Sequence, residues 1–512
     1  MAHKISVNLN VFSGTPLYEQ VAREIQKAVE SGNLAFDERL PSIRELSAQL
    51  QISATTTRDA LELLEKRGFI RCRQGSGNYV CAHVRSDESS PQTQFEPPSF
   101  VDRPFQVKTY GLDQSFPWSS EAGYLNCSFN TTSFHPFWDS RLAFDFRVYQ
   151  PIYHDLEQSR LPKMLLQMKR TSVLGSAPTG DGQGSIVLRR ELARWLNKTR
   201  RLDCTAEDLF ITSGAQQARD LVARLLINNG DRVIVEEPGS ITDLLAYSAK
   251  GARLIHVELD REGIDLAKLQ RAEKPKVIHL IGPGNFPAAT AMTLQRRLSV
   301  LAWAALNDVT VVEDSYGAGF YHTTPVLPSL FSLAKNNAHS ATVIYTGSLS
   351  QFINPACRLG FVILPKRFQE EWLKLRWLAD RRTSSLSQQV LINAFVSGNF
   401  EEHAMRVSQA ARKRRAVMLD ALSEWPGNLI TYTPVNTGIH QPIWFDRQID
   451  DLAVFESAMK AGIGVVPLSP YFHAEQKENG LSLGFMQMNE SKIAEGLKEL
   501  LKLISAEAAI RG

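Results

Sequence analysis

No apolar run in this 512-residue chain reaches the ~18–20 residues that a membrane-spanning helix requires. Its first residues, MAHKISVNLNVF, lack the long apolar core of a secretory signal. The five cysteines (Cys72, Cys81, Cys127, Cys204, Cys357) are scattered, odd in number and contain no CxxC pair. That usage excludes a disulfide framework or zinc knuckle as the organising device, and predicts reduced thiols and a cytoplasmic protein. Charge of one sign is also missing: 57 Lys and Arg against 54 Asp and Glu leave a formal net charge of +3. Overall charge therefore says little about nucleic acid, and a DNA-binding face has to be argued locally. What is present is ordinary globular composition, 43% apolar and 22% charged. The length is enough for two or three domains on a prior of ~150 residues each.

The first 80 residues carry dense stop and start signals. Leu17, Val21, Ile25 and Val29 form one apolar stripe at a spacing of four, predicting a helix from Pro16 to Gly32. In LPSIRELSAQL, Ser42 caps a short helix and Glu45 completes a capping box. Gln51 and Ile52 turn the chain, Ser53 caps a second helix, ATTTRDALELLEKRG, and Gly68 ends it. FIRCRQGSGNYV then reads as a hairpin turned at Gly75-Ser76-Gly77. Helix, helix–turn–helix and hairpin make a winged helix-turn-helix, whose second paired helix would enter a DNA major groove. Arg67, Arg71 and Arg73 lie on or beside the wing, partly offset by Glu62 and Glu65, while Arg23 and Lys27 read as a solvated helix face.

PLYEQV, LPSIRELS, TTTRDAL and GSGNYV together resemble the GntR family of DNA-binding regulators over residues 16–80. The resemblance implies DNA contacts at Arg44, Thr55, Thr56, Arg58 and Gly75 on a double-stranded operator. Ala54 departs from the family's arginine after the serine cap, which puts one charged contact in doubt.

Within residues 83–140, the Ser- and Pro-rich stretch from Arg85 to about Lys108, RSDESSPQTQFEPPSFVDRPFQVK, has a linker composition. An aromatic-dense arm follows, with Tyr110, Phe116, Trp118, Tyr124, Phe129, Phe134, Phe137 and Trp138, expected to pack on the larger domain or a partner. Beyond it short apolar segments alternate with longer helical ones, an α/β layered pattern. Leu209–Thr212, Arg232–Val235, Lys276–Ile281, Val309–Val312 and Val343–Tyr345 read as buried parallel strands. Helical patterns run over Phe368–Arg381, Gln409–Leu422 and SKIAEGLKELLKLI. The basic run Arg412, Lys413, Arg414 and Arg415 reads as a solvated helix face, with a DNA backbone contact as the alternative.

The long run from SAPTGDGQG to ARLL resembles the fold-type I aminotransferase domain that follows a GntR reader in the MocR subfamily, and the order of the two parts matches. The implied organisation is a reader at 10–82, a linker and arm at 83–140, a large domain at 141–366 and a small C-terminal α/β subdomain at 367–512. By that resemblance Ser213, Gly214, Ala215 and Gln216 (in ITSGAQQA), Asn285, Asp314, Tyr316, Ser348 and Arg358 are the residues that would hold pyridoxal phosphate (PLP) or an anionic effector. Asp314 matches the carboxylate for the pyridine nitrogen, Tyr316 the phenol near the ring oxygen, and Ser348 and Arg358 the phosphate cup.

IYTGSLSQFINPACRLG departs from the pattern at its centre. Gln351 stands where the family keeps the lysine that forms a Schiff base with PLP. An amide nitrogen, its lone pair delocalised into the carbonyl, cannot form that imine. Lys335 and Lys366 are the nearest lysines in the chain, and neither falls at the loop position. Ser240 stands for a stacking aromatic, Gly284, Asn285, Ala288 and Ala289 for an HQxPTG-like run, and Ser482 for an arginine that grips a substrate carboxylate. The expectation is a homodimeric regulator, not an enzyme, with no catalytic residue and PLP held only noncovalently if at all. The alternatives left open are a PLP enzyme with a DNA-binding appendage, a MocR regulator sensing PLP without a covalent bond, and a binding module with no DNA role. His440, on the flank of the expected pocket, is a minor candidate.

Overall fold

The computed structural model describes residues 16–30, 33–35, 37–66, 69–73, 77–81, 142–148, 182–324, 326–336, 341–349, 351–353, 358–446, 448–473 and 478–511. The chain divides into two compact units, parted between Tyr110 and Gly111. The linker and aromatic arm, Gly75, Cys127 and Cys357 lie outside the described residues.

The first unit contains α1 (Leu17–Glu30), α2 (Ile43–Leu50), α3 (Ala54–Lys66) and the antiparallel hairpin β1 (Ile70–Arg73) and β2 (Gly77–Val80). The capping box expected at Ser42 is present: Glu45 N–H donates to Ser42 Oγ at 3.3 Å and Ser42 N–H to Glu45 Oε2 at 2.8 Å. Gln51 takes the left-handed conformation and closes α2. Ser53 Oγ accepts from Thr56 N–H at 3.0 Å and starts α3. The predicted stripe of α1 is the core: Val21, Ile25 and Val29 pack with Leu46, Ala60, Leu61, Leu64, Ile70 and Val80. That single apolar cluster ties both paired helices and the wing to one scaffold.

The second unit is built on an eight-stranded sheet. Its order is β4 (Leu209–Thr212), β11 (Gly360–Ile363), β10 (Val343–Ser348), β9 (Thr310–Asp314), β8 (Val277–Ile281), β5 (Arg232–Glu237), β6 (Arg253–Asp260) and β7 (Gly263–Ile264). Successive side chains on a strand point to opposite faces. Val233, Val235, Val312 and Ile344 accordingly pack with Leu221 and Val222 of the helix Ala215–Leu226 on one side. Ile234, Val311 and Val343 pack with Val300, Leu301 and Ala304 of the helix Leu294–Leu306 on the other. Both faces are covered, which is why the strands read as continuous apolar runs rather than as an alternation.

Four of the five strands read from the sequence have parallel partners, with Val309–Val312 starting one residue later and ending two later, at Thr310–Asp314. Leu209–Thr212 does not: its partner is β11, which runs antiparallel both to it and to β10. Apolarity reports burial, not strand direction, so this reversal had no signature in the residues. A smaller antiparallel sheet joins β12 (Ile430–Thr431), β13 (His440–Phe445), β16 (Gly480–Gly484) and β15 (Val466–Pro467), with β14 (Ile463–Gly464) pairing separately with β3 (Phe144–Asp145). The helix read at Gln409–Leu422 is the last part of Asn399–Ser423, and that read at Phe368–Arg381 spans Lys366–Ala379.

Two residues of the basic run, Arg414 and Arg415, depart from both of its sequence readings. Arg414 is buried and donates to Met486 O at 3.1 Å, and half-buried Arg415 donates to Val435 O at 2.8 Å. Only Arg412 and Lys413 are exposed. The two inward guanidiniums tie the long helix to neighbouring loops and are not free for a phosphate.

Candidate functional site

The carboxyl ends of the central strands converge where a doubly wound sheet places its ligands. Asp314 ends β9, Ser348 ends β10, and Ser213 and Gly214 follow β4 and open the helix Ala215–Leu226. Gly214 has φ +94° and ψ 171°, a conformation closed to side-chain-bearing residues. A Cβ there would also lie 3.4 Å from the guanidinium carbon of Arg358. Arg358 thus lies beside the start of the helix. No side chain caps that helix, so its first-turn N–H groups and the dipole stay directed at the cleft. Arg358 is exposed and has no ion pair among the described residues. Cation and amides together form an anion cradle.

Behind the cradle, Gln217 Oε1 accepts from Ser213 N–H at 2.7 Å, and Gln217 Nε2 donates to Asp380 Oδ2 at 2.7 Å. The fully buried Arg376 pairs with Asp380 at 3.1 Å and donates to Thr383 Oγ1 at 2.8 Å. This network fixes the turn from which Ser213 and Gly214 project. Ser348 is half-buried at the end of its strand. Gln216 is exposed, and its Oε1 accepts from Arg219 Nη1 at 3.0 Å.

Asp314 is buried and both of its oxygens are engaged. Oδ1 accepts from Tyr316 N–H at 2.9 Å and Oδ2 from Arg219 Nε at 2.8 Å. Arg219 passed unnoticed in the sequence. It lies four residues after Ala215 and three after Gln216, on the side of the helix that reaches the cleft. A cation on the inward face of an otherwise apolar-patterned helix was the available signal.

Gln351 is half-buried, and its Oε1 accepts from Gly317 N–H at 3.3 Å. The amide therefore ties its loop to the turn after Asp314. Tyr316 stacks edge-on to Phe286, with ring centroids 5.4 Å apart, and its hydroxyl is buried without a hydrogen-bond partner among the described residues. Burial, with Tyr471 and Asp314 nearby, pushes that phenol well above its ordinary pKa, so it stands as a neutral O–H in search of an acceptor.

Asn285 is drawn out of the ligand set. It is wholly buried, its Nδ2 donates to Glu236 Oε2 at 3.2 Å and Pro238 O at 3.0 Å, and its Oδ1 accepts from Ala288 N–H at 3.2 Å. It braces the loop in which Ala289 holds a strained left-handed φ of +56°. Ser240 is buried immediately before the helix Ile241–Ser248. Ser482 is completely buried inside the small sheet, its hydroxyl unpartnered among the described residues, and it carries no cation that could grip a carboxylate. His440 is likewise core: its ring packs on Phe286 and its Nε2 faces Pro287 O at 3.2 Å. Lys335 is engaged with Asp203 at 3.6 Å.

In the first unit Arg44, Thr55 and Arg58 are exposed on α2 and α3. Thr56 is half-buried, its hydroxyl 2.8 Å from Ser53 Oγ, which occupies it in the helix cap. Arg71, expected to serve the wing, pairs with Asp37 at 2.7 Å. Arg39, which the sequence reading did not single out, is exposed with its Nε 3.2 Å from where a Cβ on Gly77 would stand. It adds a cation to the base of the wing.

Residues 17–80 match the family described as bacterial regulatory proteins, gntR family, and residues 152–481 match aminotransferase class I and II. The chain belongs to the aminotransferase class I and II family. It is 24% identical over 95% of its length to the "Probable rhizopine catabolism regulatory protein MocR" of Rhizobium meliloti, covering 93% of that protein. It is 25% identical over 99% of its length to the HTH-type pyridoxine biosynthesis transcriptional regulator PdxR of Corynebacterium glutamicum, covering all of it. Among solved structures, the α-aminoadipate aminotransferase LysN of Thermus thermophilus, complexed with N-(5′-phosphopyridoxyl)-L-leucine, superposes with a TM-score of 0.68 at 25% identity, over 77% of this chain and 99% of that one. The architecture is thus a GntR winged helix-turn-helix with a fold-type I aminotransferase domain. Its full-length relatives include transcriptional regulators, and its fold neighbours include enzymes. Among the described residues, no helix is long and apolar enough to cross a membrane and no cluster of His, Cys, Asp and Glu could hold a metal ion.

Family membership implies PLP, and the residues meet that cofactor unevenly. Arg358 and the first-turn amides suit a phosphate. At the ring end assigned by the sequence resemblance the residues do not fit: Asp314 already holds Arg219, and the amide of Gln351 faces Gly317.

Proposed function

We propose that this protein is a cytoplasmic, homodimeric transcription regulator whose aminotransferase-family domain senses an anionic small molecule without Schiff-base chemistry. Residues 10–82 read an operator through Arg44, Thr55 and Arg58. Residues 141–366 and 367–512 form the sensing and dimerisation body, reached through the segment 83–140. Two-fold symmetry then calls for paired half-sites on the DNA. The effector acts by binding one arrangement of the readers better than another.

One observation carries this reading: Arg358 and an uncapped helix start make an anion cradle, and the residue seven positions before that arginine is an amide that cannot form an imine. Gln351 is taken to stand at the anchoring-lysine position on the sequence resemblance, and its hydrogen bond to Gly317 gives it a structural task there. An effector held in the cradle would bring acceptors to Arg358, the helix amides and the neutral Tyr316 hydroxyl.

The test is to restore the amine. Gln351→Lys by itself is expected to give no transaminase turnover with PLP and a panel of amino acids and 2-oxo acids. Ser482 supplies no carboxylate grip, Ser240 no stacking face, and Arg219 still occupies Asp314. Turnover above a Gln351→Ala control would show that the catalytic site is intact apart from one residue, against the proposal.

A further inference from the structure

The Arg219–Asp314 pair changes what the cleft can recognise, not only what it can catalyse. A cofactor ring with a protonated nitrogen needs an acceptor carrying net negative charge. At Asp314 that charge is balanced by a guanidinium at 2.8 Å, whose side chain is 13% exposed against 3% for the carboxylate. Both carboxylate oxygens already carry a donor, from Tyr316 N–H and Arg219 Nε. A pyridinium brought to this point would meet Arg219 as a like charge in a poorly hydrated site, where such repulsion is weakly screened. Arg358 adds a second cation with no ion-pair partner among the described residues, and the helix start adds partial positive charge. The buried Tyr316 hydroxyl offers a further donor, with no acceptor among the described residues.

Resting on the sensing role proposed above, we infer that Arg219 is the specificity-determining residue of the cleft, and that the effector is a phosphate monoester whose other end is neutral or anionic, not a pyridinium-bearing B6 vitamer. The phosphate sits on Arg358 and the first-turn amides. The remainder of the molecule presents acceptors toward Arg219 and Tyr316. Among the described residues, Arg219, Arg358 and the Tyr316 hydroxyl face this ligand as donors, which disfavours a cation there.

Two probes separate the ideas by calorimetry on the full chain. Pyridoxine 5′-phosphate carries the ring nitrogen but no aldehyde to trap surface lysines, and benzyl phosphate has a ring without a nitrogen. In the wild-type protein benzyl phosphate is expected to bind at least as tightly as pyridoxine 5′-phosphate. Arg219→Leu frees Asp314 and is expected to swing the ratio by ~tenfold toward pyridoxine 5′-phosphate, equivalent to ~1.4 kcal/mol. Arg219→Gln serves the same purpose if the leucine variant does not fold. A wild-type preference for pyridoxine 5′-phosphate of about threefold or more, on the same scale, overturns the inference but leaves the sensing role standing. So does a ratio unmoved in both variants. Failure of benzyl phosphate, pyridoxine 5′-phosphate and inorganic phosphate to bind at all removes the anionic-effector reading and this inference with it.

Discussion

Arg44→Ala and Arg58→Ala are each expected to weaken binding of the full chain to DNA from its own promoter by ~1–3 kcal/mol, roughly five- to 150-fold. The expectation comes from how α3 is mounted. Ala60, Leu61 and Leu64 bury one face of the helix against α1, and Thr57 is wholly buried with its hydroxyl accepting from Ser47 Oγ at 2.9 Å. Thr55 and Arg58 are left outward at a helical spacing of three, and Arg44 is exposed at the start of α2. Exposed arginines so placed meet phosphates or guanine edges. The loss should grow less steep with added salt if the deleted contact is to a phosphate, because one fewer counterion is displaced. Lys27 and Arg71 are the controls: they pair with Glu24 and Asp37, both at 2.7 Å, and their alanine variants are expected to bind nearly as the parent does. Fluorescence anisotropy over a salt series checks both halves. Unchanged affinity in Arg44→Ala and Arg58→Ala would move the reading face elsewhere or leave the winged helix without a DNA role.

A second large effect is expected in acid. His440 and His322 are each pushed down to about 4, chiefly by burial, against weaker raising by a carbonyl, Pro287 O for the one and Gly438 O for the other. In each ring Nδ1 has no partner among the described residues, so a proton there would sit in the core without an acceptor. An unfolded histidine titrates near 6.5. Between that value and about 4 the unfolded chain therefore binds a proton that the folded chain refuses, and stability falls as pH falls through that window. Near pH 4 each histidine contributes a loss of ~3 kcal/mol relative to neutral pH. His440→Gln retains a donor for Pro287 but cannot be protonated. Its stability is expected to fall less than the parent's between neutral pH and pH 4, by that amount, in chemical denaturation. Parallel curves for the two proteins would show that His440 already titrates near its ordinary value when folded.

Local signals in the chain translated well because each has a short-range cause. Ser42 with Glu45, the left-handed Gln51 and Ser53 ahead of α3 all did what their spacing implied, since a cap needs only its own turn. The buried strands were legible from apolarity, but the antiparallel insertion of Gly360–Ile363 was not, because direction is decided by the connection and not by the strand's residues. Long-range polar pairing was the larger blind spot. Arg219 and Asp314 are far apart in the chain, and nothing at either position announces the other. Asn285 looked like a ligand residue by its place in a motif, yet its amide is used up on Glu236, Pro238 and Ala288. Arg414 and Arg415 looked solvated in a basic run, and burial against neighbouring loops reversed that. Residue type identified the candidates; only the packing decided which of them still face the cleft.

Position 351 has no amine to offer a cofactor aldehyde. Borohydride reduction of the native full-length protein incubated with PLP, followed by digestion and mass spectrometry, puts the question directly. The expected result is no visible Schiff-base chromophore and no stoichiometric phosphopyridoxyl group on any single lysine of the cleft. A stoichiometric adduct at one cleft lysine, lost when that lysine is replaced by arginine, would contradict the account.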